Sequence, residues 1–138
     1  MNPSDTSDFK PIELQDKETF HYHFRKDPPV TSELTFTNLF VWRHRYHPLW
    51  AVLEDCLLII LQPGGEPPFG LPPVGPGNLA DGLDLLAEAL GQRTPEVRIC
   101  RVGEAFVENI MDRDRYMAHP DPDNSDYVYL SQDMIQLL

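Results

Sequence analysis

Trp50-Ala51-Val52-Leu53-Glu54-Asp55-Cys56-Leu57-Leu58-Ile59-Ile60-Leu61-Gln62 is the stretch on which the fold class turns. Two apolar runs of strand length are separated by two acidic residues. That spacing predicts an antiparallel hairpin, Trp50 to Leu53 against Cys56 to Gln62, with Glu54-Asp55 as its tight turn. The second run is apolar at nearly every position instead of at alternate ones. A strand of that kind is buried on both faces and holds a central place in its sheet.

Working outward toward the C-terminus, Pro63 to Gly77 holds six prolines and five glycines in fifteen residues. Proline removes a backbone donor and glycine gives up conformational restriction, so a loop or irregular edge strand is expected, anchored by Phe69, Leu71 and Val74. Pro73-Val74-Gly75-Pro76 satisfies a PxxP pattern, a short match that carries little weight inside a proline-rich loop. Next, Asn78 reads as an N-cap and Leu79, Leu83, Leu86 and Leu90 fall at i, i+4, i+7 and i+11, with Gly91 as C-cap. Val97 to Val102 reads as a strand. Glu104 to Asp112 reads as a helix presenting Phe106, Val107, Ile110 and Met111. After a further strand, Tyr127 to Leu130, Ser131 caps a helix that ends at Leu138 after barely two turns. With Met134, Ile135 and Leu138 lacking a partner, it predicts a chain truncated before a further segment, or a homodimer formed through that helix.

Toward the N-terminus, Met1 to Asp8 is polar and aperiodic and is expected to be a loose tail, with one domain spanning 9–138. Lys10 to Leu14 reads as a short strand, and Asp16 as the cap of a helix carrying Phe20 and Phe24 that stops before Asp27-Pro28-Pro29. Thr35 to Tyr46 predicts one helix, with Phe36, Leu39 and Phe40 on a face that Trp42 and Tyr46 widen. Helical projection puts Arg43 on that face too. A guanidinium there must meet a carboxylate, main-chain carbonyls or a ligand, and the structural pairing is the more common solution.

The 138 residues suit one ordinary domain, with 41% hydrophobic and 24% charged residues placing the chain among folded proteins. Its net charge of −11 repels a polyphosphate backbone, so nucleic acid is disfavoured as a direct partner. Cys56 and Cys100 sit in apolar runs, as buried thiols do, which points to a reducing, cytoplasmic setting. No signal peptide opens the chain, and the longest apolar run, Cys56 to Leu61, is too short for membrane insertion.

Chemistry-bearing patterns are sparse. His21-x-His23 and His44-x-x-His47 lack the third and fourth ligands of a zinc site, so no metal is expected. Asp121 to Asp126 resembles the start of a calcium loop, but Asp126 stands where glycine is needed and Gln132 where glutamate is needed. No hydrolase, P-loop, dinucleotide or zincin motif occurs. There remains the strand-to-helix junction Cys100-Arg101-Val102-Gly103-Glu104-Ala105, whose N–H groups are an anion candidate that Glu104 opposes.

Ser32-Glu33-Leu34-Thr35-Phe36-Thr37-Asn38-Leu39-Phe40-Val41-Trp42-Arg43 resembles the signature of an uncharacterised bacterial family grouped with the C-terminal domain of phosphatidylglycerol lysyltransferase. Leu71-Pro72-Pro73-Val74-Gly75 and Asp126-Tyr127-Val128-Tyr129-Leu130 follow in the family's order. The resemblance implies an α/β, GNAT-like fold, a mostly antiparallel sheet flanked by helices, as the first of two halves in an aminoacyl- or acyltransferase-like protein. The missing C-terminal half is then the partner. In acyl-CoA-binding relatives of that fold the pyrophosphate loop resembles [Q/R]-x-x-G-x-[G/A]. Here Gly103 and Ala105 match as cofactor-binding candidates, while Cys100 departs from the pattern. The resemblance therefore implies a non-catalytic half without cofactor, with Trp42 and Arg43 as structural or substrate-cleft residues. The alternatives are an autonomous acyl-CoA-dependent N-acetyltransferase and a protein-interaction module.

Overall fold

The computed structural model describes residues 9–27, 35–102, 104–112, 114–119 and 126–130. Its centre is the hairpin of β2 (Leu49–Leu53) and β3 (Cys56–Leu61), paired antiparallel from Leu49 opposite Ile60 to Leu53 opposite Cys56. Glu54 and Asp55 turn it with φ of 51° and 62°. Two consecutive left-handed residues match the right-handed twist of the strands, which is why so short a connection closes.

β3 is buried at all six positions because both faces of the sheet are covered. Cys56, Leu58 and Ile60 face a core containing Leu83, Leu86 and Leu90 of α4 (Leu79–Gly91). Leu57, Ile59 and Leu61 face a second core with Phe20 of α1 (Lys17–Lys26) and Phe36 and Leu39 of α2 (Phe36–Val41). The period-two alternation of side chains thus feeds two apolar layers from one strand. Phe20 anchors the second layer, edge to face with Phe24, Phe36 and Trp50 at centroid distances of 6.1, 5.4 and 5.2 Å.

The remaining elements are β1 (Lys10–Pro11), a 3-10 turn (Leu14–Asp16), α3 (Arg43–Tyr46), β4 (Phe69–Gly70), β5 (Arg98–Val102), α5 (Glu104–Asn109), β6 (Tyr116–His119) and β7 (Asp126–Leu130). One mixed, mostly antiparallel sheet results, in the order β1-β2-β3-β4-β5-β7-β6. Its parallel pair is β4 with β5, bridged by α4 in a β–α–β unit. Gly70 makes this crossing close, since a Cβ there would lie 2.9–3.0 Å from Leu86, Leu90 and Ile99. At the β6 edge, the Tyr116 hydroxyl donates to Asp84 Oδ1 at 2.6 Å and Arg115 meets Asp84 Oδ2 at 3.0 Å, tying that edge to α4. Burial and the neighbouring Asp84 carboxylate push the Tyr116 phenol well above its ordinary range.

Several expectations need correction. The Lys10 to Leu14 strand is only Lys10–Pro11, because Leu14 opens the 3-10 turn. Asp16 stands at the N-cap of α1 but its side chain does not cap that helix; its buried carboxylate instead accepts the Glu13 N–H at 2.8 Å and the Trp50 indole N–H at 3.1 Å. The Thr35 to Tyr46 helix is two short helices broken at Trp42. Gly91 lies inside α4, and Gln92 is its C-cap. The proline-rich segment carries β4 and a bridge from Val74 to Leu57, since a two-residue strand can form between prolines where a long one cannot. The helix expected over Glu104 to Asp112 ends at Asn109. The sequence reading passed over β6, whose four residues carry no clean alternation. The tail Met1 to Asp8, the Asp121 to Ser125 loop and the helix from Ser131 to Leu138 lie outside the described residues.

Candidate functional site

The segment from Thr35 to Leu49 holds the densest set of unusual side chains. Thr35 Oγ1 accepts the Asn38 N–H at 3.1 Å and starts α2, as an N-cap threonine does. The helix turns off course at Trp42 (φ −94°, ψ 16°), and α3 stops at His47, which is left-handed with φ of 45°. Tyr46 then accepts the Gln62 N–H at 2.7 Å, fastening the end of α3 to the end of β3. A second helical start beyond the break points the chain back into β2.

This break decides where the predicted residues stand. Trp42 does not widen the apolar stripe: it is 54% exposed, because the change of direction carries it off the face of Phe36 and Leu39. Val41 beside it is also exposed. Arg43 is half-buried and takes the main-chain solution, donating to the Phe40 carbonyl at 2.8 Å with its guanidinium carbon 3.9 Å from the Phe40 ring centroid. Phe40 stacks in turn on Phe36. Arg43 thus closes an aromatic series that begins in the core.

Two clefts flank the buried Pro48. One, about 330 Å³, has Leu39 and Leu61 as apolar lining and Asn38, Trp42, Arg45 and Tyr46 around them. The other, about 260 Å³, is lined by Arg43, His44 and His47 together with Ile12 and Leu49. From Leu34 to Leu53 the chain has two arginines and two histidines and no carboxylate, in a protein of net charge −11. Asn38, Arg45, Tyr46 and Pro48 escaped the sequence reading as site residues. The acid-free stretch was the signal that could have found them.

The junction candidates fare differently. Gly103 lies outside the described residues, and Ala105 falls within α5. Cys100 is half-buried against the second core instead of fully buried, and neither cysteine is in a disulfide. Cys56 is no nucleophile near neutral pH: burial first, then Glu54, Asp55 and the more distant Asp81 and Asp27, push its thiol up to about 11. Among the described residues no three His, Cys, Asp or Glu side chains cluster so as to hold a metal ion, and no helix is long and apolar enough to cross a membrane.

Comparison with known proteins agrees with this picture. No curated protein is significantly similar to the chain. A crystal structure of a conserved protein of unknown function from Bacteroides thetaiotaomicron VPI-5482 is similar, with a TM-score of 0.68 and 27% identity over 80% of this chain. The chain spans about 38% of that protein's length. The family model described as phosphatidylglycerol lysyltransferase, C-terminal, matches residues 25–137, from the end of α1 through β7. The chain belongs to the family of the phosphatidylglycerol lysyltransferase C-terminal domain.

Proposed function

We propose that the chain is a non-catalytic, GNAT-like, cytoplasmic domain that scaffolds an aminoacyl- or acyltransferase-like protein and helps to shape its substrate cleft. The observation that carries this reading is the family match over residues 25–137. The order of elements supports the fold: two early helical segments, the β2–β3 hairpin and the β4–α4–β5 unit suit one GNAT-like half. Cys100 stands where an acyl-CoA-binding loop would carry glutamine or arginine, and Glu104 adds a carboxylate that repels a pyrophosphate. In this reading the donor, the acceptor and the catalytic groups belong to a C-terminal half, the chain's partner, and Arg43 and Trp42 hold and border the cleft between them.

Calorimetric titration with acetyl-CoA tests the proposal. Silence is the expected result. Saturable binding that disappears on Gly103→Val would make the junction a working pyrophosphate loop and replace the scaffold with an autonomous N-acetyltransferase. Binding that survives Gly103→Val is not at that loop and leaves the scaffold reading standing.

A further inference from the structure

We propose that the cleft between Trp42 and Tyr46 binds a small aromatic anion, a flat ring that carries a phosphate or a carboxylate either directly or through a short link such as ribose. The inference rests on the cleft itself and not on the transferase reading. Its volume of about 330 Å³ suits a single ring system with one substituent. Leu39 and Leu61 supply apolar lining against which a ring loses its water, and two aromatic side chains stand beside them. An indole more than half exposed at a helix break makes no sense as core. It does make sense as a stacking surface, since every planar ring offers it a π-face.

The charge specifies the rest of the ligand. Arg45 lines the same cleft, its guanidinium carbon 5.7 Å from the Tyr46 ring centroid. No carboxylate of the described residues pairs with it, in contrast to Arg115, which is held by Asp84. Arg43 is occupied by the Phe40 carbonyl and ring, so Arg45 is the cation placed to meet an incoming anion. The stretch from Leu34 to Leu53 that carries Arg45 contributes two arginines and two histidines and no carboxylate, on a chain of net charge −11. Arg45 on the cleft can meet one phosphate or carboxylate. An extended polyanion would meet the surrounding negative field, which is why a small ligand is inferred and not a nucleic acid.

The full chain reports on this directly, because it has only two tryptophans. Trp50 is buried with its indole N–H on Asp16, and Trp42 is exposed in the cleft. In a ¹H–¹⁵N correlation spectrum the two indole signals separate the site from the core. Titration with AMP and with indole-3-carboxylate distinguishes the phosphate and carboxylate forms of the ligand. Adenosine supplies a ring without the anion, and inorganic phosphate the anion without a ring. The expected result is a saturable shift of the Trp42 indole with one or both ring-bearing anions, at least about tenfold tighter than with either control, while the Trp50 indole stays in place. Arg45→Ala and Trp42→Ala, both at exposed positions, should each weaken binding about tenfold, the first read on the Trp42 indole and the second, which lacks that signal, on the backbone amides of Asn38 and Tyr46, with the Trp50 signal certifying the fold in both. A motionless Trp42 indole up to about 10 mM of both ring-bearing probes would overturn the proposal, since specific small-ligand sites lie well below that concentration. So would equal affinity for adenosine and AMP together with unchanged affinity for indole-3-carboxylate in Arg45→Ala.

Discussion

Gly82→Ala tests whether α4 is seated on β3 as closely as the structure has it. Gly82 is the fourth residue of α4, and a Cβ there would lie 2.9 Å from Cys56 Sγ, 3.1 Å from Cys56 Cβ and 3.2 Å from Pro73 Cβ. In an open helix the same substitution would stabilise by about 1 kcal/mol, through the lost conformational entropy of glycine. Forcing a methyl group into a filled interface costs about 1–3 kcal/mol, so the net result is a loss of about 1 kcal/mol. The sulfur is the nearest obstacle. Cys56→Ala removes it at a cost of about 1–2 kcal/mol, counting the lost packing and the 3.4 Å contact from Sγ to the Asn78 carbonyl. In that background the tightest contact is gone while those to the Cβ atoms of residue 56 and Pro73 remain, so the residual crowding and the helix preference roughly cancel. The double variant should therefore lie within about 0.5 kcal/mol of Cys56→Ala alone, a coupling of about 1 kcal/mol. Urea denaturation of the four proteins closes the cycle. Additivity of the two single effects would refute the close seating, and a stabilising Gly82→Ala in the original chain would do so more simply.

Two further predictions concern the hairpin. Glu54→Asn with Asp55→Gly places at both left-handed positions residues that accept them, and should raise stability by about 1 kcal/mol, roughly 3–6 °C in Tm; an unchanged or lower Tm would mean that the turn is not held as described. Stability should also fall in alkali. The Cys56 thiol is raised from 9.0 to about 11, so its contribution is fully present below pH 9 and is lost as pH rises through 11, because above 9 the unfolded chain releases that proton first. The loss is on the order of 2 kcal/mol, shared with the similarly raised Tyr116 phenol. Urea midpoints between pH 7 and 10.5 should decline less steeply for Cys56→Ala; the same slope in both proteins would show that the thiol does not ionise differently on folding.

The legible parts of the fold were those written in local pattern. A run apolar at successive positions from Cys56 to Leu61 has no wet face, so its burial on both sides was readable without any partner being known. The leucines of α4 and its Asn78 cap, whose side chain accepts the Asp81 N–H at 3.1 Å, were readable for the same reason. That Arg43 must meet some partner was readable from the cost of burying an unmatched guanidinium, while the choice among carboxylate, carbonyl and ligand was not; the fold supplies the Phe40 carbonyl. Illegible were features decided by distant neighbours. Trp42 looked apolar enough for the helix stripe, and only the break between α2 and α3 sends it outward. Asp16 stands at the cap position, but its carboxylate is taken by the Glu13 N–H and by the indole of Trp50, 34 residues on, a partner that no local pattern announces.

Residue pattern alone specifies an acidic α/β chain built on a buried hairpin, and the signature from Ser32 to Arg43 points to its family. Periodicity, capping and composition act over a few residues, so one chain is enough to read them. The packed fold is needed to see that α4 covers one face of β3 while α1 and α2 cover the other, and that Arg45, Trp42 and Tyr46 meet Leu61 across a cleft beside Pro48. A cleft is a relation between segments that touch only once the sheet has brought the end of β3 beneath α3. The free energy that fixes that relation is the burial of two apolar layers, summed over the whole domain and not carried by any one stretch.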